Sequence, residues 1–216
     1  MIFEDGTKLV MIGDSITDCG RARPIGEWSH EGLGNGYVSL VDGLLRSVCP
    51  DRTIRVVNMG TSGNTVLDLR DRWQADVINL TPSYLSIMIG VNDVWRHFDR
   101  PAFREIHIDP DTYYRTLSDL VSSTKPSVRQ IFLLSPFYLE PNKEDLMRKM
   151  VDEYGQLMKR VAIDTGVVFV DVQAAFDQVL KHLYTSSLSA DRVHPNLTGH
   201  LVIARAFLQA IGFNWL

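Results

Sequence analysis

Serine, histidine, aspartate and asparagine recur along this chain in short blocks whose spacing could carry acyl transfer. Gly13-Asp14-Ser15-Ile16-Thr17-Asp18 offers a hydroxyl just behind a glycine. A serine on such a turn can be a nucleophile, although the same residues suit a helix N-cap or a phosphate-cradling turn. Asp191-Arg192-Val193-His194-Pro195 sets a carboxylate three residues before an imidazole. It can accept a hydrogen bond from Nδ1–H and leave Nε2 free as a base, or simply cap a loop. Asn58-Met59-Gly60-Thr61-Ser62-Gly63-Asn64-Thr65 brings backbone N–H groups that no side chain shields, as would a plain strand-to-helix turn. Gly90-Val91-Asn92-Asp93 adds a carboxamide that could face an oxyanion or cap its turn. Each block alone is ambiguous; together they hold a nucleophile, oxyanion donors and an acid–base pair. No Gly-x-Ser-x-Gly elbow occurs. His30, His97, His107, His182, His194 and His200 lack ligand spacing such as His-Glu-x-x-His, so no metal or other cofactor is expected.

Five short apolar runs must position these blocks: Leu9–Ile12, Ile54–Val57, Leu85–Ile89, Ile131–Leu134 and Val167–Val170. Their continuous hydrophobicity suits strands buried on both faces, as in a parallel sheet. Helical stripes run between them, through Tyr37, Leu40, Val41, Leu44, Leu45 and Val48, and through Met147, Met150, Val151, Tyr154, Leu157, Met158 and Val161. A third passes through Phe176, Val179, Leu180, Leu183 and Tyr184, and a last helix from about Thr198 ends at Gly212 as its C-cap. Alternating strand and helix predicts βαβ crossovers and a three-layer α/β/α sandwich, with residues 1–216 as one domain. Cys19–Gly36 and Val94–Pro110 read as long loops over the carboxyl edge of the sheet, where open α/β sheets bind ligands.

Composition narrows the function classes. The chain has 216 residues, 45% hydrophobic and 22% charged, which is ordinary globular usage. With 22 basic and 26 acidic side chains its net charge is −4, so no nucleic-acid partner is expected. Apolar runs of about five residues fall far short of the ~20 that span a bilayer, so no membrane partner is expected. The start of the chain, Met1 to Lys8, lacks a basic stretch followed by an apolar one. Cys19 and Cys49 read as reduced thiols, and a cytoplasmic location is expected. Phe213 and Trp215 could serve a homo-oligomer interface or seal the last helix.

The four blocks in this order resemble the GDSL/SGNH hydrolase superfamily, from Leu9 to Gly212. Within it, Gly13–Pro24 and Ile87–Arg96 are similar to intracellular bacterial acetyl-xylan esterases. Ile16 replaces the leucine of the family's name. The resemblance implies a flavodoxin-like fold with a five-stranded parallel sheet of order 2-1-3-4-5. It implies Ser15 as nucleophile, His194 as base and then acid, and Asp191 as its orienting carboxylate. The oxyanion hole would be Ser15 N–H, Gly63 N–H and the Asn92 amide. The substrate it implies is a small-molecule or oligosaccharide ester with a short acyl group. Asp14, Arg21, Trp28, Asn64 and Trp95 are candidate substrate contacts. The two tryptophans could stack on a sugar or pack their loops, and Arg21, Arg23 and Arg96 could meet sugar hydroxyls or solvent. A thioesterase or lysophospholipase would keep the same catalytic residues. A non-catalytic flavodoxin- or receiver-like domain would share the strand order but would not need the Asp191–His194 pair.

Overall fold

A computed structural model describes residues 2–28 and 31–215; Met1, Ser29, His30 and Leu216 lie outside the described residues. Strands β1 (Thr7–Gly13), β2 (Ile54–Gly60), β3 (Tyr84–Met88), β4 (Gln130–Leu134) and β5 (Val168–Val170) form a parallel sheet. Its order is β2-β1-β3-β4-β5, as the resemblance implies. Helices are α1 (Ser15–Asp18), α2 (Tyr37–Val48), α3 (Val66–Trp73), α4 (Val91–Asp99), α5 (Pro110–Thr124), α6 (Leu146–Thr165), α7 (Val172–Val179) and α8 (Leu197–Ala210). On one face α2, α7 and α8 pack together; on the other α3 and α6 flank α5, with α4 against α6. Layers on both faces explain the unbroken apolar runs: Leu9, Val10, Met11 and Ile12 are all fully buried.

Two local readings change, and a helix that no apolar stripe marked is added. The segment Val94–Pro110 is not one long loop, because α4 continues to Asp99 and a short 3-10 turn covers Arg104–Ile106. Polar residues on its solvent side hide the helical period there. The stripe through Leu183 and Tyr184 overruns α7, which ends at Val179; both of those side chains are exposed. Helix α5 needs no long apolar stripe to begin. The Asp109 side chain accepts from Thr112 N–H as N-cap, and Pro110 is pre-set for the first turn. At the far end of the chain, Gly212 adopts φ 68°, the left-handed turn that closes α8.

The sheet register levels the three strands that matter most. Gly13 at the end of β1 is opposite Gly60 of β2 and Met88 of β3. Everything that follows these positions emerges at one height on the carboxyl edge. Contact there is close enough to require glycine: a Cβ on Gly60 would lie 2.2 Å from Asp18 N and 2.6 Å from Asp18 Cα. Those are backbone atoms of the turn that starts with Ser15, and they cannot rotate away. Gly60→Ala is expected to cost about 1–3 kcal/mol by overpacking, read as a lower Tm, and to lower any Ser15-dependent activity with it. An unchanged Tm would contradict this close approach.

Candidate active site

Asp14 makes the turn that presents Ser15. Its side chain accepts from Ile16 N–H at 3.0 Å and caps α1, so Ser15 becomes the first residue of a four-residue helix. Asp18, at the end of that turn, accepts from Ser62 N–H at 3.0 Å and from Arg23 Nη2 at 2.6 Å. The serine turn is thereby tied to the loop that carries Gly63. Buried Asn58 adds a second tie, donating from Nδ2 to the carbonyls of Thr17 and Leu33 and accepting from Gly60 N–H.

The late turn supplies the base. Ser15 Oγ lies 2.9 Å from His194 Nε2, although 179 residues separate them. His194 Nδ1 lies 2.6 Å from Asp191 Oδ2. With Nδ1–H donated to the carboxylate, Nε2 is left to accept the serine proton. Arg192 sits between the two at φ 67°, a left-handed conformation that folds the turn tightly. The N–H groups of Val193 and His194 consequently both reach Asp191 Oδ1, at 2.9 and 2.8 Å. Burial alone would raise the Asp191 carboxyl, but the His194 ring, these two N–H groups and the Ser189 hydroxyl hold it down at about 2. It therefore stays anionic across the range in which an imidazole works as a base.

Three N–H groups stand on the segments that leave the ends of β1, β2 and β3. Ser15 N–H opens α1, and among the described residues it has no protein acceptor, nor does Gly63 N–H. Gly63 has φ 82° and open space where a side chain would stand. Asn92 donates one amide hydrogen to Asn64 O at 3.0 Å and keeps a second. Two arginines not singled out for this role fix the orientation of these amides. Arg96 Nη2 donates to Asn92 Oδ1 at 2.9 Å, which fixes which end of the amide is Nδ2. Arg72 donates from Nε to Asn64 Oδ1 at 2.6 Å, from Nη1 to Met59 O at 2.7 Å and from Nη2 to Gly13 O at 2.9 Å. No spacing rule marks Arg72, since its partners lie on two other strands. The assembly of one activated hydroxyl, one oriented imidazole and clustered N–H donors is equipped to attack a carbonyl and hold the resulting oxyanion.

The GDSL-like Lipase/Acylhydrolase family matches residues 11–202 of the chain. This protein belongs to that family. An acetylxylan esterase of Geobacillus stearothermophilus is 56% identical over 211 residues, covering 98% of this chain and 96% of that one. The crystal structure of the Geobacillus acetylxylan esterase Axe2 superposes with a TM-score of 0.98 at 55% identity, over 100% of this chain and 99% of that one. LAE5, an alpha/beta hydrolase enzyme from the metagenome of Lake Arreo, gives a TM-score of 0.96 at 51% identity, over 98% and 97% of the two chains. Membership of an acylhydrolase family removes the receiver-like alternative.

In this family member the proposed substrate contacts divide. Trp95 lies on α4, and its ring meets the His194 imidazole at 5.8 Å between centroids. Asn64 is brought to the site but as a bridge between Arg72 and Asn92. Asp14 is 1% exposed beneath the serine, so it caps the turn and presents no surface to a substrate. Arg21 is also buried, and donates to the carbonyls of Gly60, Ala22 and Pro24, so it braces the loop. Arg23 pairs with Asp18, and Arg96 with Asp99. Trp28 is not brought to the site. The segment from Cys19 to Trp28 crosses the edge strand at Gly26, which pairs with Asn58, and leaves Trp28 beside Thr53–Val56 at the amino end of β2.

Two carboxyls behind the site are strongly perturbed. Burial pushes Asp14 up to about 7 against the pull of Ile16 N–H and His194. It pushes Asp93 to about 7 as well; Asp93 Oδ1 accepts from Val66 N–H at 3.0 Å, while Oδ2 has no partner. An unfolded chain releases these protons near the ordinary value of 3.8, whereas the folded chain keeps them to about 7. The folded state thus binds more protons between those limits, and stability falls as pH rises through the window. Tm measured from pH 4 to 7 should decline in the wild type and decline less steeply in Asp93→Asn. Parallel curves would show that Asp93 is ionised in the folded protein.

Proposed function

We propose that this protein is a serine esterase that removes short acyl groups, acetyl foremost, from esterified sugars such as xylo-oligosaccharides. The observation that carries this reading is the hydrogen-bonded series Ser15–His194–Asp191. His194 Nε2 takes the Ser15 proton as Oγ attacks the ester carbonyl. The tetrahedral oxyanion is held by Ser15 N–H, Gly63 N–H and Asn92 Nδ2. The imidazolium then protonates the departing alcohol oxygen, leaving an acyl-serine, and water repeats the cycle through the same base. These groups handle every proton and charge, so the reaction calls for no metal or other cofactor. Support comes from the Geobacillus esterase, whose S15A, D191A and H194A forms are described as catalytic mutants; the same residue types stand at those numbers here.

Among the described residues no helix is long and apolar enough to cross a membrane. Cys19 and Cys49 are free, which supports a reducing, cytoplasmic setting. Short acetylated oligosaccharides, rather than polymer, fit that setting.

Ser15→Ala should lose up to ~10⁶ in kcat on p-nitrophenyl acetate and no longer take a fluorophosphonate label. A variant retaining a tenth of the wild-type rate would exclude Ser15 as nucleophile. Asn92→Ala should lower kcat by ~10²–10³ with KM little changed, as expected for one oxyanion donor; a change mainly in KM would make Asn92 a ground-state contact. Acetate should exceed octanoate in a p-nitrophenyl ester series. The reverse order would favour a thioesterase or lysophospholipase.

A further inference from the structure

A cavity of about 390 Å³ opens at Trp95, whose ring meets the His194 imidazole, and is walled by Trp95 and Phe98 of α4 and by Leu146 and Met147 at the start of α6. Asp99 and Asp145 lie on its rim. Its volume falls within the usual range for small-molecule sites. The apolar wall is unusually open: Leu146 is 72% exposed and Phe98 is also exposed. Such side chains clustered around a ring that meets His194 point to a ligand that covers them.

The chemistry of the reaction decides which part of the ligand goes there. One imidazole nitrogen, Nε2, both takes the Ser15 proton and must return it to the departing oxygen. When the Ser15 Oγ–carbonyl bond forms and the carbonyl–alkoxy bond breaks, the alkoxy oxygen therefore has to lie on the imidazole side of Oγ. The acyl oxygen points the other way, toward Gly63 and Asn92. Trp95 is the aromatic ring that meets His194, so the cavity beyond it faces the alcohol and not the acyl group.

Resting on the esterase reading above, we propose that this cavity is the subsite for the sugar ring of the leaving alcohol. A sugar ring offers an apolar C–H face and a hydroxyl edge, which match the two kinds of wall. Trp95 lies with Arg96 over its ring at 5.3 Å, which holds the indole in place for stacking. Asp145 uses Oδ1 to cap α6, accepting from Arg148 N–H at 2.9 Å, and its second oxygen can accept a sugar hydroxyl. A phosphate-bearing alcohol would meet that carboxylate with like charge, which sets the site against lysophospholipids and coenzyme thioesters.

The test compares an acetylated xylobiose with ethyl acetate, whose alcohol is too small to reach Phe98 and Leu146. In Phe98→Ala/Leu146→Ala and in Trp95→Ala, the ratio of kcat/KM for the sugar ester to that for ethyl acetate should fall about five- to tenfold, mostly through the sugar ester's KM. Taking a ratio cancels any disturbance of His194 that Trp95→Ala causes. A ratio that stays constant in both variants, with the wild type active on both substrates, overturns the subsite and leaves the esterase reading standing. A wild type that cleaves ethyl acetate and not the xylobiose ester overturns the sugar substrate itself, and the subsite with it.

Discussion

The catalytic edge depends on the level register of β1, β2 and β3. Gly13 stands between Gly60 on one side and Met88 on the other, so the serine turn, the Gly63 loop and the Asn92 helix all depart from one line. A shift of one strand by one residue would move its loop by about 3.3 Å and turn its side chains to the opposite face. Arg72 holds this line directly, because a single guanidinium donates to the end carbonyls of both β1 and β2 and to Asn64 in the loop beyond. Its planar fork of donors suits this work, as one ammonium could not reach three such acceptors in fixed directions.

The back of the site is kept low in charge. Asp14 and Asp93 are buried carboxyls shifted upward to about 7. His200, also behind the serine turn, is pushed down to about 4 by burial and then by His194. Its tautomer is set as well: Nδ1 accepts from Tyr37 N–H at 3.2 Å, leaving Nε2–H to donate to Cys19 Sγ at 3.2 Å. Burial raises the Cys19 thiol to about 11, so this pair is no second nucleophile. An ionised carboxylate behind the proposed oxyanion hole would oppose the charge placed there. Carboxyls that hold their protons up to about 7 leave less negative charge behind the N–H donors than ordinary carboxylates would.

The two sides of the reacting hydroxyl differ in construction. On the donor side, Asn92 is 2% exposed and fixed at both ends of its amide by Asn64 and Arg96. Such rigidity suits the proposed oxyanion role, because a donor contributes only if it need not reorganise during the reaction. On the base side, the His194 and Asp191 side chains stand at 45% and 42% exposure. The turn that bears them is anchored from beneath by buried Val193 and by the pairing of Ser189 with Pro195. A half-open imidazole beside Trp95 leaves room for the departing alcohol and for the incoming water.

Five apolar runs, short and unbroken, already determined a buried parallel sheet, because only strands covered on both faces can be apolar at every position. The block at the carboxyl end of the first run and the late Asp191–His194 turn marked the serine, the histidine and its carboxylate, since those residue types at those spacings have few other joint uses. Order in the sheet and the oxyanion donors came from resemblance, not from spacing. Local patterning could not see α4, whose outer face is polar, or the buried roles of Asp14 and Arg21, because burial is a property of the packed chain. Nor could it place Trp28 and Trp95, two aromatic residues of equal promise in sequence. The pairing of Gly26 with Asn58 carried one down the edge strand, and the start of α4 set the other against the imidazole. Which side chains meet across 179 residues is decided by register and packing, and these exist only once the sheet has formed.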